Sequence, residues 1–349
     1  MKKAIYSIIL LVFVSTCQVQ NEAKVEGTLI VLNKSEASAS IISLQTNKVV
    51  NTIKTGIGPH EAAVSPDGKT CIVTNYGLRD DPSSSLTVID LVSQKPVKTI
   101  DLGNHEKPHG VLYIDDNSLL VTSQVQKALL LVNIEKGEIE NVFETGQEIS
   151  HMVAYSPKHK LAFVTNIGSG SINVIDIAQN KMLKVIKTGE GAEGVEVTTD
   201  ESEVWITNRA EDNISILDIN TLEITDSIAC ASFPIRVKFT PDGEHALVSN
   251  ARSGDLAVFK VENREEIARI EMKFKAVEEK ENRLFSDQFG ESPVPIGILI
   301  HPNGKHAYVA NTNADIVTVI DLEKFEIIRR LTPGKEPDGL AYTHLEFNN

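Results

Sequence analysis

Cysteine is scarce in this chain and tryptophan scarcer: three and one in 349 residues. Cys17, Cys71 and Cys230 never form a CxxC pair. That excludes a cysteine zinc site, a dithiol redox site and a covalent CxxCH haem attachment. No P-loop, no GxGxxG after a strand and no GxSxG elbow occurs, so nucleotide cradles and α/β-hydrolase nucleophiles are excluded as well. GSGS at 168–171 is a strand-connecting turn. Basic residues are outnumbered, with 34 Lys and Arg against 48 Asp and Glu and a net charge of −14. Such a chain has no electrostatic footprint for nucleic acid. Helical periodicity is missing too, apart from a charged stretch near 276–283.

Long apolar runs are absent except at the start. Lys2 and Lys3 precede an apolar run from Ala4 to Val14, too short for a stable membrane anchor and fit for an export signal. VSTC (14–17) is similar to a bacterial lipobox, in which the cysteine is lipidated and becomes the mature N-terminus. Thr16 departs from the Gly, Ala or Ser expected before that cysteine, so plain cleavage is the alternative. The expected organisation is an export signal over 1–17 ending at Cys17, a polar linker over 18–26, and one domain over 27–349. The expected place is the periplasm or outer cell envelope, with a lipid at Cys17 as the membrane contact. Cys71 and Cys230 lie in alternating apolar runs and read as buried thiols.

What is abundant is repetition. AAVSPDGKTCIVTNYG (62–77), VKFTPDGEHALVSNARSG (237–254) and ILIHPNGKHAYVANTNAD (298–315) share one plan: a strand, a Pro-Asp/Asn-Gly turn, and a second strand ending in Asn. A third strand follows (SLTVIDL, SINVIDI, NISILDI, DIVTVIDL) and then a fourth (KPVKTIDLG, KMLKVIKTG, FEIIRRLTPG). Val, Ile and Thr alternate with polar residues at period two, as strands require. His60, His109, His151, Glu193, Ile235, Ile296 and Asp338 open equivalent units, at spacings of 49, 42, 42, 42, 61 and 42 residues. Four strands every 42 residues is the signature of a propeller blade. Six complete units fill 57–334, and 27–56 supplies three further strands. The tail 336–347 supplies the missing one. The fold class is therefore an all-β, seven-bladed β-propeller with four-stranded antiparallel blades, its ring closed by the C-terminal strand completing the N-terminal blade.

VTNYG, FVTNIG, WITNRA and YVANTN, each followed by a V-I-D-like strand, resemble the YVTN-repeat family of seven-bladed β-propellers over residues 27 to 347. The resemblance implies the fold and leaves function open. Similar rings carry sugar-lactone hydrolases, streptogramin-type lyases, haem d1-binding domains and binding proteins.

Function must come from the site. The unit-opening residues precede the innermost strand, so rotational symmetry converges them at the channel mouth. Three imidazoles flanked by Glu193 and Asp338 suit a divalent metal, with His60, His109, His151 and Glu193 as its ligands. They equally suit acid–base work, with His109, His151 and Glu193 as the catalytic candidates. For any single histidine, a polar rim that needs no ligand is the plain alternative. Arg236 fits a substrate carboxylate or phosphate. Arg209 and Arg252 break the repeat in the loops between second and third strands and join the ligand-binding set. The recurrent Asn of those loops reads as a strand cap. The insertion over 276–294, with Phe285 and Phe289, emerges on the histidine face and is a candidate lid. The expected function is a monomeric, exported, lipid-anchored propeller that binds a small ligand or divalent metal. The alternatives are a metal-assisted hydrolase or lyase, a scaffold for envelope proteins, and a haem d1-type binder.

Overall fold

The computed structural model describes residues 25–274, 283, 285 and 288–347. Cys17 and most of the charged stretch near 276–283 lie outside the described residues. Seven four-stranded antiparallel sheets form a closed ring. Blade 1 is composite, as expected. Its inner strand Pro337–Thr343 pairs with Thr28–Asn33, which is followed by Ser38–Ser43 and Lys48–Lys54. The inner strands of blades 2 to 7 are Pro59–Val64, Pro108–Tyr113, Ser150–Ser156, Ala192–Val197, Pro234–Phe239 and Pro295–Ile300. Ring closure gives Thr28–Asn33 a strand partner on both sides, so the N-terminal segment leaves no open edge there.

The β-branched composition explains the layering. Strands such as Ser171–Asp176 are buried on both faces because apolar side chains pack against the blade before and the blade after. Outer strands such as Glu223–Ala229 alternate between exposed and half-buried positions. Apolar clusters fill every space between adjacent blades. Trp205 sits in one of them with Phe259 and the buried free thiol of Cys230, and Cys71 is a buried free thiol in another.

Two repeated devices place the channel mouth. The first is a bulge. Register shifts between Pro59 and Ala62, between Ser150 and Val153, and between Ala192 and Val195, with equivalents in the other blades. A bulge sets two residues against one and re-aims their side chains. The second is a hydroxyl relay from the VTN threonine. Thr122 Oγ1 accepts from Gly110 N at 2.8 Å and donates to His151 O at 2.5 Å in the next blade. Thr74 does the same for Glu61 N and His109 O, and Thr165 for Met152 N and Glu193 O. His109, His151 and Glu193 are thus each fixed by the second strand of the preceding blade. The VTN asparagine locks its own blade: Asn208 Nδ2 donates to Asn213 Oδ1 and Ser215 Oγ at 2.7 and 2.9 Å. That agrees with the structural reading of the Asn set.

Candidate metal centre at the channel mouth

The seven unit-opening residues occupy the second position of their inner strands, and the three histidines do meet. The His60 and His109 rings are 3.8 Å apart between centroids, and those of His109 and His151 are 3.6 Å apart. Their exposures are 9%, 0% and 7%. Tyr76, near the end of the second strand of blade 2 (Thr70–Gly77), covers them: its ring lies 5.2 Å from His60 and 5.8 Å from His109. The Tyr76 hydroxyl donates to Gln124 Oε1 at 2.6 Å, and Gln124 Nε2 faces His151 Nδ1 at 2.9 Å.

Gln124 fixes the tautomer of His151. An amide NH2 only donates, so His151 Nδ1 accepts and its proton sits on Nε2. Nε2 points at Glu193 Oε1, 3.4 Å away. Both nitrogens of His151 are therefore engaged. His60 Nδ1 lies 3.2 Å from Asp338 Oδ2, an ion-pair approach without hydrogen-bond geometry. His109 is fully buried, and neither ring nitrogen has a hydrogen-bond partner. Donor atoms of His60, His109 and Glu61 all lie within 4.8 Å of one another. Burial holds His60 and His109 well below the usual imidazole range, assisted by the charges of Lys34, Arg236 and the neighbouring histidines. Burial lowers His151 as well, against the pull of Glu193. Three neutral imidazoles stack without repulsion, and neutral imidazole is the form that ligates metal.

The charges around them are balanced. Arg236 Nη2 reaches across the channel to Glu61 Oε1 at 2.5 Å, and its Nη1 lies 3.6 Å from Glu193 Oε1. Arg209 Nη1 pairs with Glu193 Oε2 at 2.7 Å. Burial alone would raise the Glu193 carboxyl, but Arg209, His151 and Arg236 overcome it and hold it down at about 2. Lys34 Nζ lies 3.5 Å from Asp338 Oδ2 and 5.2 Å from the Tyr76 ring centroid. Burial lifts the Asp338 carboxyl to about 6 although Lys34 opposes the rise.

The mouth positions expected from the sequence do converge. Glu193, expected as a metal ligand, pairs with Arg209 and His151, while Glu61, paired with Arg236, stands beside His60 and His109. Glu61 had a signal. The residue after each mouth position is Gly110, Gly194, Gly297 or Gly339 in four blades, and Glu61, Met152 and Arg236 are the exceptions. Lys34, in a short turn of the composite blade, had none. Arg252 stands apart from the imidazoles, its guanidinium over Phe233 at 4.8 Å and Phe289 at 5.9 Å. Phe233, Phe289, Ile235 and Ile296 form an apolar cluster on the isoleucine side of the mouth. The described end of the insertion thus packs beside the site, with Arg283 bound to Asp315 at 3.0 and 2.6 Å.

Comparison with known proteins agrees with this architecture. A curated relative, dihydro-heme d1 dehydrogenase of Pseudomonas aeruginosa, is 24% identical over an alignment of 300 residues that covers 71% of this chain. The match spans 61% of that relative's length. Among solved structures, a functionally unknown protein from Desulfotomaculum acetoxidans superposes with a TM-score of 0.74 at 14% identity, covering 92% of this chain and all of that one. Hydrazine synthase of Kuenenia stuttgartiensis gives 0.66 at 20% identity, over 84% and 92%. The dihydro-heme d1 dehydrogenase NirN in complex with DHE gives 0.63 at 14%, over 90% and 65%. Likeness at these identities speaks for the fold alone. Residues 24–119 and 111–277 match the YNCE-like beta-propeller family, a YVTN-type ring, and the chain belongs to that family.

Proposed function

We propose that this chain is an exported propeller that binds a borderline divalent metal ion at its channel mouth, through His60, His109 and Glu61. The observation that carries the reading is His109: a fully buried imidazole with two unpartnered nitrogens, beside two further ligand atoms. Buried polar atoms are almost always hydrogen-bonded, so such an orphan calls for a guest. Two imidazoles and a carboxylate are a donor set for zinc, iron or copper. Ligands around a four-coordinate ion at ~2.1 Å stand roughly 3.4 Å apart, so binding tightens the cluster. Asp338 would act on the far nitrogen of His60, the usual outer carboxylate of a metal-bound histidine. Three protein ligands leave one position open, which is the arrangement of metal-assisted hydrolysis. Export rests on residues 1–17, and a lipid at Cys17 would tether the face bearing the Pro-Asp-Gly turns. Glu26 lies at that face, its carbonyl 3.0 Å from His301 Nε2.

A second reading follows from the relative named a dihydro-heme d1 dehydrogenase: iron of a tetrapyrrole ligated by a ring imidazole. Tyr76 and the burial of all three histidines argue against it, because no macrocycle can reach them without displacing that cover. The test is elemental analysis of soluble protein lacking residues 1–17, beside His60→Ala and His109→Ala. About one metal per chain, lost in both variants, is expected. Protein that takes up no metal on titration would sink the reading, and an intense visible absorption band would favour the tetrapyrrole.

A further inference from the structure

Beneath the imidazoles the channel widens into a chamber of about 320 Å³. Glu61 and Arg236 line it and meet across it, while Val111, Leu112, Val195 and Ile298 supply apolar wall. Lys238 and Glu196, paired and half-buried, also line it, and they lie toward the face of the Pro-Asp-Gly turns, where the chamber opens. The histidine side is shut by Tyr76 and Gln124. A ligand of the metal centre therefore has its room below, not above.

Two features define that ligand. Arg236 is 4% exposed, and its Nη1, though 3.6 Å from Glu193 Oε1, makes no hydrogen bond, so a buried cationic N–H beside the chamber lacks an acceptor. Charge gives the second. Lys34, Arg209 and Arg236 balance Glu61, Glu193 and Asp338 around the mouth. A divalent ion added there leaves two positive charges uncompensated in a poorly solvated site, where unpaired charge is costly. An anion removes one of them. The free N–H calls for an oxygen acceptor, and the apolar wall calls for a hydrocarbon body.

We propose that the chamber is a binding site for a small carboxylate with a compact apolar tail. One carboxylate oxygen fills the open position of the metal and the other accepts from Arg236 Nη1. The tail lies against Val111, Leu112, Val195 and Ile298. This site rests on the metal reading above.

The experiment uses the protein loaded with Co²⁺, whose visible absorption reports its coordination, and titrates it with benzoate. Cobalt content is measured first for each protein, so failure to load sinks the metal reading and the chamber with it. Loaded protein should change its spectrum saturably with benzoate. Arg236→Lys should weaken benzoate at least tenfold. Met152→Trp, which puts bulk into the chamber that Met152 lines, should abolish the response. Thermal unfolding establishes that each variant is folded. Cobalt-loaded protein whose spectrum ignores benzoate overturns the chamber site and leaves the metal centre standing. So does benzoate binding undiminished in Met152→Trp.

Discussion

Asp338 Oδ2 lies 3.2 Å from Nδ1 of His60, so the strand that closes the ring also brings a carboxylate to the imidazole at the mouth of the next blade. Closure and site are one construction: without the C-terminal strand, His60 would have no carboxylate partner and Lys34 no counter-ion. Asp338→Ala should therefore lower metal affinity by about 10- to 100-fold, the usual effect of removing an outer carboxylate. Competition against a chromophoric chelator measures this. An affinity within twofold of wild type would show that the pair is structural only. His151→Gln should retain the ion, because both nitrogens of His151 are already engaged.

Glu193 supplies an acid-dependent term in stability. Its carboxyl is held at about 2, below the ordinary 4.5, so the folded state binds fewer protons than the unfolded one between those values. The contribution is fully present above pH 4.5 and fades as pH falls through the folded value near 2. A shift of that size corresponds to a stabilisation on the order of 3 kcal/mol at neutral pH. Glu193→Gln should lose most of it and leave Arg209 and His151 without their carboxylate. Urea unfolding at intervals from pH 7 to 2.5 should show wild type and variant converging toward the acid end. Parallel curves would refute the assignment.

The fold was legible in the sequence because each blade repeats it. The 42-residue spacing, the turn between first and second strands and the incomplete terminal units together specified both the blade count and the closure. The convergence of His60, His109 and His151 was legible for the same reason, since equivalent positions in a ring must meet. What symmetry cannot convey is the direction of each side chain. Glu193 and Glu61 are adjacent in the design, one at the mouth position and one just after it. Only the bulge decides that Glu61 reaches toward His60 and His109 while Glu193 turns to Arg209. Lys34 and Asp338 meet from opposite ends of the chain, and no local pattern announces a contact of that kind.

The glycines beside the mouth give a graded prediction. A Cβ at Gly297 would stand 2.1 Å from Asp338 O, at Gly194 2.3 Å from Ile235 O, and at Gly339 2.3 Å from His60 O. At Gly110 the nearest atom, His151 O, would be 2.9 Å away. In each case the obstacle is backbone of the next blade, which cannot move without opening the ring. Alanine at Gly194, Gly297 or Gly339 should cost about 3 kcal/mol or more, and at Gly110 about 1–2 kcal/mol. Urea midpoints at constant m-value test the order. Equal losses at all four positions would mean that the blades shift to make room.

Tyr76 is the last element of the site that can be tested by itself. It touches two imidazoles with its ring and steadies the third through Gln124. All three histidines are neutral, so their reactivity toward an acylating reagent depends on access and not on protonation. In metal-free protein at pH 7, diethyl pyrocarbonate should modify the exposed His344 and spare His60, His109 and His151. Tyr76→Ala should open the mouth and make the three reactive, at least tenfold faster than in wild type, with His344 unchanged as the internal control. Tyr76→Phe keeps the ring and loses one hydrogen bond, worth about 1 kcal/mol, so it should protect the histidines almost as well as tyrosine. Site-resolved mass spectrometry over time distinguishes the two variants. If Tyr76→Ala stayed unreactive, the cover over the mouth would have to be assigned to other residues than Tyr76.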